Sequence, residues 1–350
     1  MKPNQLVSII INNYNYGSFL REAIDSALNQ TYSPTEVIVV NDGSTDISRE
    51  IISSYGNRII SVLKNNGGQA SSLNQGFEVS QGKIIFFLDS DDMFKQDKIE
   101  KIVSLMSKEN LVDTATIFHN SFEAIDSQGC LVEKKVDIPS DIFRVKGSKS
   151  IHPDLKLFFK ISATDSFFNG ELSKVCTSEQ VYQFASRYRY IPYVGMPTSS
   201  ISVSRSMGKK LFPLPTSGPK ISADDLIVKA ASLIGSVYSI NLILTQYRLH
   251  GNNGWYGQKS TREMEEASAN RRDEYLNLKL QEIGNQPVFS FLTSMSAGAF
   301  YRHYFGRDSG NHLIALSFEV LKWRVDLTTI HFFAKTFMRG ICYKISSSAH

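Results

Sequence analysis

Hydrophobic residues in the first quarter of the chain form four short runs, separated by stretches with helical spacing. The runs are Val7–Ile11, Val37–Val40, Ile59–Leu63 and Ile84–Leu88. Short apolar runs of this kind are typical of parallel strands that are buried on both faces. The pattern predicts an α/β protein with a mostly parallel, Rossmann-like sheet flanked by helices. Ligands of such sheets bind in the crevice beyond the carboxyl ends of the strands.

Helices between these strands are indicated by apolar residues that recur every three or four positions. In the first connection these residues are Phe19, Leu20, Ala23, Ile24, Ala27 and Leu28. After the second run, Ser44 or Asp46 can cap a helix that carries Ile47, Ile51 and Ile52. The predicted order is therefore strand and helix in strict alternation.

The pattern becomes less regular beyond Leu111. A strand is predicted at Thr114–Phe122, and the stretch Pro139–Pro153, rich in Gly, Pro, Ser and Lys, is predicted to be a loop. A second ordered block covers Ser199–Asn253, and the spacing is helical from Arg262 onward. The predicted late helices are Glu274–Ile283, Val288–Tyr301 and Leu313–Trp323.

The composition is that of an ordinary globular protein. The chain has 350 residues, of which 42% are hydrophobic and 21% charged, with a formal net charge of +4. This mild charge, without a dense block of Lys and Arg, argues against a nucleic-acid partner. Three cysteines, Cys130, Cys176 and Cys342, are far apart in sequence, so neither a disulfide framework nor a paired-cysteine metal site is predicted.

The sequence gives no indication of export or of a membrane span. Met1–Leu6 is too polar for a secretory signal, and no stretch reaches the roughly 18 apolar residues that a spanning helix needs. We therefore expect a cytoplasmic protein. Aromatic residues mixed with basic ones near Trp323 and Phe332 leave two interpretations open: a helical core with a solvated face, or peripheral contact with the inner face of an anionic membrane.

An acidic turn follows the fourth apolar run and carries the strongest chemical signal. It reads Asp89, Ser90, Asp91, Asp92. Carboxylates this close together repel one another unless a cation neutralises them. Oxygen ligands without a neighbouring His or Cys suit Mg²⁺ or Mn²⁺, which usually complete their shells with water and substrate phosphates. An acidic turn that only caps the next helix is the alternative.

Polar residues also follow the first two predicted strands. The stretch Asn12–Gly17 lacks the paired glycines of a dinucleotide fingerprint, but Tyr14 can stack on a nucleobase while Asn12 or Asn13 bonds to its edge. Asp42 follows the second strand and can accept a hydrogen bond from a base or a ribose. Ordinary loop and turn residues explain the same positions equally well.

Taken together, several segments resemble the family 2 glycosyltransferases in order and spacing. They are Val7–Asn15 (VSIIINNYN), Val39–Asp46 (VVNDGSTD), Asn66–Phe77 (NGGQASSLNQGF), Gly82–Asp92 (GKIIFFLDSDD) and, more loosely, Pro197–Ser206 (PTSSISVSRS), Ser222–Leu226 (SADDL) and Tyr247–Asn253 (YRLHGNN). The resemblance is close over roughly the first 110 residues. It implies a GT-A fold, a nucleotide-sugar donor, Mn²⁺ or Mg²⁺ as cofactor, and inversion at the anomeric carbon.

The resemblance also implies roles for individual residues on the donor side. Asp91 corresponds to the metal ligand of the D-x-D motif. Asp92 is expected to contact residues that bind the metal or the donor, without binding either itself, or to cap a helix. His250 corresponds to a position that in some members ligates the metal or contacts the diphosphate. The nucleotide-sugar-binding positions are Asn12, Tyr14, Asp42, Asn74 and Asp89.

Two neighbouring acids compete for the role of catalytic base. The family more often has Glu followed by Asp where this chain has Asp224 and Asp225. Counting back from Ile227 as a buried helix position favours Asp224, and Asp225 remains the alternative. On the residues alone, either Asp is equally an N-cap of the helix that follows.

These observations predict a glycosyltransferase domain at 1–255, with a nucleotide-binding half at 1–110 and an acceptor half at 111–255. A helical C-terminal extension follows at 256–350. We expect transfer from a UDP or dTDP sugar to the hydroxyl of a saccharide or lipid-linked saccharide, in cell-surface polysaccharide or glycolipid assembly. Self-association into a homo-oligomer through the late helices is a further expectation.

Two other functions fit parts of the same sequence. A chain that keeps the fold can serve as a non-catalytic scaffold, although the acids at Asp42, Asp89, Asp91 and Asp224 argue against it. An apolar strand that ends in Asp-x-Asp is also how aspartyl-phosphate phosphatases present their nucleophile. Those enzymes use an early strand, whereas the strand before Asp89 is the fourth.

Overall fold

A computed structural model describes residues 5–132, 172–188, 191, 197–216, 223–251 and 262–290, with single helical positions between 314 and 342. The strands are β1 (Val7–Asn13), β2 (Thr35–Asn41), β3 (Ile60–Leu63), β4 (Ile84–Asp89), β5 (Met93–Phe94), β6 (Thr116–Ile125), β7 (Leu172–Cys176), β8 (Ile201–Ser204) and β9 (Ser236–Arg248). The helices are α1 (Gly17–Leu28), α2 (Ser48–Ser54), α3 (Gln69–Val79), α4 (Lys98–Lys108), α5 (Ser178–Tyr188), α6 (Arg205–Leu211), α7 (Ala223–Ile234) and α8 (Arg262–Glu282).

The first half of the chain builds a parallel sheet in the spatial order β3, β2, β1, β4. All three pairings in this half are parallel, because each strand is followed by a crossover helix. Alternate residues of β1 bury against opposite faces: Ile9 and Ile11 pack in the main core cluster, while Ile10 contacts the α3 side at Gly76. The predicted alternation of strand and helix from β1 to β4 is confirmed.

Strand β3 differs from the prediction in one respect. Ile60 and Leu63 are 40% and 49% exposed, so this strand is not buried on both faces. The physical reason is its place at the end of the strand order, where it pairs only with β2 among the described strands. The apolar run correctly predicted a strand but not its edge position.

The second half of the chain extends the same sheet with mixed pairing. Strand β8 is antiparallel to both β4 and β6, and β6 is parallel to β9. Strands β5 and β7 pair with the two ends of β9. The strand predicted at Thr114–Phe122 is present as β6, shifted by a few residues. Strand β9 thereby brings its end at Arg248 beside the residues that follow β4.

Two compact units are distinguished by their internal contacts. The first comprises residues 1–136, 165–178 and 193–268, and the second comprises 137–164, 179–192 and 269–350. The sheet and all residues of the acidic turn belong to the first unit. The predicted boundary at residue 255 stays a prediction, and the predicted loop at Pro139–Pro153 lies outside the described residues.

Within the second unit, the helix predicted at Glu274–Ile283 is part of α8, but the helix predicted at Val288–Tyr301 is wrong at its start. Residues 288–290 are not helical. The Asn277 side chain holds this segment, accepting from the backbone N–H groups of Val288 and Phe289 at 2.9 Å each. Residues 291–301, and most of the helix predicted at Leu313–Trp323, lie outside the described residues.

Membrane-spanning helices were sought among the described residues. No helix in this part of the chain combines the length and the apolar character that a bilayer crossing requires.

Candidate active site

The carboxyl ends of β1, β2 and β4 meet at one edge of the sheet, as expected for parallel neighbours. Helix α3 begins at the same edge, where the Gln69 side chain donates to Asp89 Oδ1 at 2.8 Å. Asp224 in the first turn of α7 is close enough to act electrostatically on Asp89. The crevice therefore collects polar groups from five elements of one compact unit.

The loops after β1 and β2 are tied together. Asn13 Nδ2 donates to Ser44 Oγ at 3.1 Å, and the same oxygen accepts from the backbone N–H of Asn15 at 2.9 Å. Asp46 accepts from the backbone N–H of Gly17 at 2.8 Å and from that of Ser48 at 3.1 Å. The N-cap position of α2 is Ile47, so neither Ser44 nor Asp46 is the predicted cap; Asp46 accepts from the N–H of Ser48 from one position further out, and Ser44 fixes the first loop.

Asp42 is buried at the end of β2 and accepts three hydrogen bonds. They come from the Lys64 ammonium, from the backbone N–H of Gly67 at 2.9 Å and from that of Gly68 at 2.7 Å. Gly43 makes the close approach possible: it has φ +75°, and a Cβ there would lie 2.8 Å from the Asn66 nitrogen. Asp42 therefore anchors the loop before α3 against the end of the sheet.

The other donor-side residues differ in what they leave open. Tyr14 is 45% exposed, so its ring is accessible for stacking. Asn12 lies opposite Asp89 in the parallel register of β1 and β4, and it hydrogen-bonds to Asp89. Asn74 is engaged at both ends of its amide, with the carbonyl of Leu214 at 2.8 Å and the N–H of Leu214 at 2.7 Å. Asn74 thus fastens the segment after α6 to α3.

Asp89 has an unusual protonation equilibrium. Its pKa is raised to about 7, first by burial and then by the charge of Asp91. Hydrogen bonding from Asn12 lowers it, the charge of Asp224 raises it, and hydrogen bonding from Gln69 lowers it. Excess negative charge is therefore concentrated at the carboxyl end of β4, where a cation or a donor to the carboxylate would relieve it.

The Asp91 side chain contacts His250. The His250 Nε2 and Asp91 Oδ2 atoms are 3.0 Å apart, and the two side chains are 4% and 15% exposed. The imidazole is held by aromatic rings, with centroid distances of 5.4 Å to Tyr16 and 4.9 Å to Phe19. Burial, followed by the charges of Asp91, Asp89 and Asp92, raises the pKa of Tyr16 to about 12.

Asp92 faces the protein interior. Its Oδ1 accepts from the backbone N–H of Arg248 at 2.9 Å, and the Ser199 side chain also bonds to it. Burial and the charges of Asp91 and Asp89 raise its pKa well above the usual value. The following helix, α4, has Asp97 at its N-cap position, so Asp92 caps no helix.

Arg248 ties the acidic turn to the rest of the unit. Its side chain is fully buried, and its Nε donates to the carbonyl of Asp91 at 2.8 Å. A second nitrogen donates to Glu22 of α1 at 2.8 Å, and the guanidinium lies 4.9 Å from the centroid of the Phe19 ring. Arg248 thus holds the turn at two points, the backbone carbonyl of Asp91 and the side-chain carboxylate of Asp92.

The residues present fit a divalent cation with an incomplete protein shell. The Asp91 carboxylate and the His250 imidazole are in direct contact, and Mn²⁺ accepts both oxygen and imidazole ligands. Among the described residues no cluster of three or more His, Cys, Asp or Glu side chains has metal-binding geometry. Two protein ligands leave positions for water and phosphate oxygens, the usual arrangement for a metal that binds together with a nucleotide.

The two candidate bases differ clearly in their surroundings. Asp225 forms an ion pair with Lys229 on its own helix, with an N···O distance of 2.7 Å. Asp224 is 9% exposed, accepts from the N–H of Asp225 at 2.9 Å, and is the acid whose charge reaches Asp89. The charge of Asp225 is therefore balanced by Lys229, while the charge of Asp224 acts on Asp89 in the crevice.

Sequence reasoning missed several supporting residues. Gln69 and Arg248 lie within segments that carry the resemblance, but no role was expected of them. Ser199 accepts from the backbone N–H of Asp89 at 2.9 Å across 110 positions of sequence. Lys98 occupies the buried stripe of α4 together with Ile102 and Met106. A charged residue on an apolar stripe is the one signal that could have drawn attention to it.

Replacement of Asp89 by Asn should change how stability depends on pH. A carboxyl whose folded pKa is about 7, against roughly 3.9 when unfolded, binds more protons in the folded state. Its contribution therefore makes the free energy of unfolding fall as pH rises from about 4 to 7. Asp89→Asn should melt higher than the wild type at pH 8 and lose this advantage at pH 5. Parallel melting curves for the two proteins across that range would contradict the electrostatic description.

Comparison with known proteins finds a matching family model and individual relatives that match either most of the chain or only its first part. The family model described as glycosyl transferase family 2 matches residues 8–135. A glycosyltransferase of Nostoc sp. is 29% identical over 297 residues, covering 84% of this chain and 77% of that protein. One of Rickettsia prowazekii is 45% identical over 131 residues, covering 37% of this chain and 41% of that protein. The chain thus spans under half the length of this second relative.

Among solved structures, two crystal structures of S. aureus TarS are similar, each with a TM-score of 0.51 and 14% sequence identity. The likeness covers 95% of this chain, and 53% and 80% of the two TarS chains. At this identity it concerns the fold alone. The predicted fold class is confirmed: it is a GT-A type fold, with a mostly parallel sheet flanked by helices.

Proposed function

We propose that the chain is a family 2 glycosyltransferase, because residues 8–135 match the model of that family, and that it moves a sugar from a nucleoside diphosphate to an acceptor hydroxyl. The donor binds at the edge where β1, β2 and β4 end. The observation that supports this most is the position of Asp89, which is hydrogen-bonded to Asn12 and Gln69 and within electrostatic reach of both Asp91 and Asp224. Donor-side and acceptor-side acids thus share one crevice.

On the donor side, Tyr14 stacks on the base and Asn12 bonds to its edge, while Asp89 lies near the ribose. Asp42 and Asn74 act in this proposal on the nucleotide side as well. Their contacts support a role through the loop at 64–68 and the segment at 214, which they hold beside the crevice. A UDP or dTDP sugar is the donor we expect.

Asp91 and His250 would hold Mn²⁺ or Mg²⁺ beside the diphosphate. When bound, such an ion supplies Lewis-acid stabilisation of the charge that develops on the departing phosphate oxygen. The contact of 3.0 Å between the two side chains supports their acting together. Arg248, through the carbonyl of Asp91, fixes the direction in which this carboxylate points.

On the acceptor side, Asp224 takes the proton from the attacking hydroxyl. The acceptor oxygen then bonds to the anomeric carbon as the bond to the diphosphate breaks, and one such displacement inverts the configuration. The ion pair of Asp225 with Lys229 supports Asp224 over its neighbour, because a carboxylate held by an ammonium on its own helix is less available to an acceptor hydroxyl.

The acceptor we propose is a saccharide or a lipid-linked saccharide, handled by the half of the domain that follows residue 110. Cell-surface polysaccharide or glycolipid assembly, a cytoplasmic location with peripheral membrane contact, and self-association belong to the same proposal. Sedimentation with anionic liposomes, compared with neutral ones, tests the membrane part directly.

Donor binding is tested by a thermal-shift panel. UDP, dTDP and GDP sugars and CMP sugars are added to the full chain with and without Mn²⁺, because a ligand of the folded state raises the melting temperature by mass action. We expect at least one donor to raise it, and Mn²⁺ to increase that shift. A panel in which no donor shifts the melting temperature would remove the basis of the assignment.

A further inference from the structure

Lys98 is a buried cation directly behind the acidic turn. It is the first residue of α4 and has no solvent exposure. Burial lowers the pKa of Lys98 well below its usual value, and the charge of Asp92 opposes that effect. A buried ammonium is costly unless its surroundings compensate for lost hydration. Its contacts therefore indicate what the side chain holds.

Three groups of the described chain surround the Lys98 ammonium. It donates to the backbone carbonyl of Ser199 at 2.5 Å and to Thr245 Oγ1 at 2.9 Å. It also lies 3.8 Å from the centroid of the Phe94 ring, a cation–π contact. Phe94 follows the acidic turn in sequence, whereas Ser199 comes from the turn before β8 and Thr245 from β9. Lys98 thus joins three distant parts of the chain.

Ser199 transmits this restraint to the acids. Its hydroxyl oxygen accepts from the backbone N–H of Asp89 at 2.9 Å, and its side chain bonds to Asp92. Its carbonyl accepts from Thr245 Oγ1 at 3.1 Å as well as from Lys98. One residue therefore connects the buried ammonium with both ends of the turn that carries Asp91.

We propose that Lys98 is a positioning residue: through Ser199 and Phe94 it fixes the backbone of the turn Asp89–Asp92, so that Asp89 and Asp91 are presented to the donor in a set geometry. This inference rests on the proposed function for its consequence, which is donor affinity. Its structural part, restraint of the turn, stands by itself. Lys98 contacts neither donor nor acceptor.

Lys98→Met keeps the unbranched shape of the side chain and removes the ammonium. The matched control is Lys101→Met on the same helix, where the lysine is 45% exposed and pairs with Asp97. Removing the buried ammonium leaves the buried Asp92 without the cation that faces it, so Lys98→Met should melt below the wild type, whereas Lys101→Met should melt close to it. Backbone hydrogen exchange of residues 86–94, with residues 7–13 as internal reference, then reports on the turn separately from global unfolding.

We expect exchange in the turn to be about tenfold faster in Lys98→Met and unchanged in Lys101→Met, without any ligand. Affinity for UDP, dTDP or GDP with Mn²⁺ should fall by roughly 10–100-fold, the usual effect of removing a group that supports a metal ligand. Ser199→Ala should cause a similar loss. Combined with Lys98→Met, it should add little, since the two residues act in series.

The inference is overturned by unchanged exchange in the turn, by equally faster exchange in residues 7–13, or by faster exchange with unaltered nucleotide affinity. A wild type that binds no nucleotide would contradict the proposed function instead. The exchange measurement would still decide whether Lys98 restrains the turn, so the two failures are distinguishable.

Discussion

Replacement of Asp224 by Asn should lower the rate of sugar transfer by about 10²–10⁴-fold, the usual contribution of a general base. The amide has nearly the same shape as the carboxylate but cannot accept the acceptor's proton. Donor binding should survive, because the donor-side groups on β1, β2 and β4 are untouched. The measurement is nucleoside diphosphate release with the best donor of the panel, together with the donor-induced shift in melting temperature.

Asp225→Asn is the matched control for this prediction. It removes a carboxylate one position away, whose partner is Lys229 rather than the crevice. We expect this variant to keep its activity within a few-fold. Full activity in both variants, or loss only in Asp225→Asn, would be incompatible with the role given to Asp224.

Replacement of Asp91 by Asn should abolish the part of donor binding that depends on Mn²⁺. Groups that merely support a metal ligand typically contribute 10–100-fold in metal affinity, so loss of the ligand itself should cost at least about 100-fold. His250→Gln should have a smaller effect, because the carboxylate of Asp91 remains. Calorimetric titration of the nucleotide, with Mn²⁺ and with EDTA, measures both variants.

Asp113→Asn provides a control for the loss of one acidic charge. This residue is 79% exposed and pairs with Lys83, so its replacement should leave the titration unchanged. If Asp91→Asn bound nucleotide with the same dependence on Mn²⁺ as the wild type, Asp91 would not be the metal ligand.

The sequence alone predicted the parallel half of the sheet because its signals are local. Each strand from β1 to β4 is one apolar run, and each is followed by polar residues at the edge where ligands bind. The acidic turn at Asp89–Asp92 and the loop with Tyr14 could therefore be predicted as parts of one crevice before any contact was known. Parallel topology brings the strand ends together without further information.

Contacts between distant parts of the chain could not be predicted in this way. Ser199 reaches Asp89, and Lys98 reaches Thr245, across more than a hundred residues of sequence. The preference for Asp224 over Asp225 rested on helix phase alone; the pairing of Asp225 with Lys229 and the effect of the Asp224 charge on Asp89 are contacts that the sequence does not show. The place of a strand in the sheet order cannot be read from its own residues either, which is why β3 was expected to be buried on both faces.

Tertiary contacts also override local periodicity. Val288 begins an apolar pattern with helical spacing, yet Asn277 binds its backbone N–H and that of Phe289 in a non-helical segment. A single amide that satisfies two backbone donors competes directly with the hydrogen bonds of a helix. The spacing of apolar residues in a segment gives no information about a side chain on another element, such as Asn277, that binds the segment's backbone.

The most direct test of the account is the release of nucleoside diphosphate from UDP, dTDP and GDP sugars by the purified full chain, with Mn²⁺ and after its removal with EDTA. We expect release from at least one donor, dependence of that release on Mn²⁺, and its loss in Asp224→Asn. No release from any donor would contradict it, as would release that is unaffected by EDTA and by the Asp224 substitution.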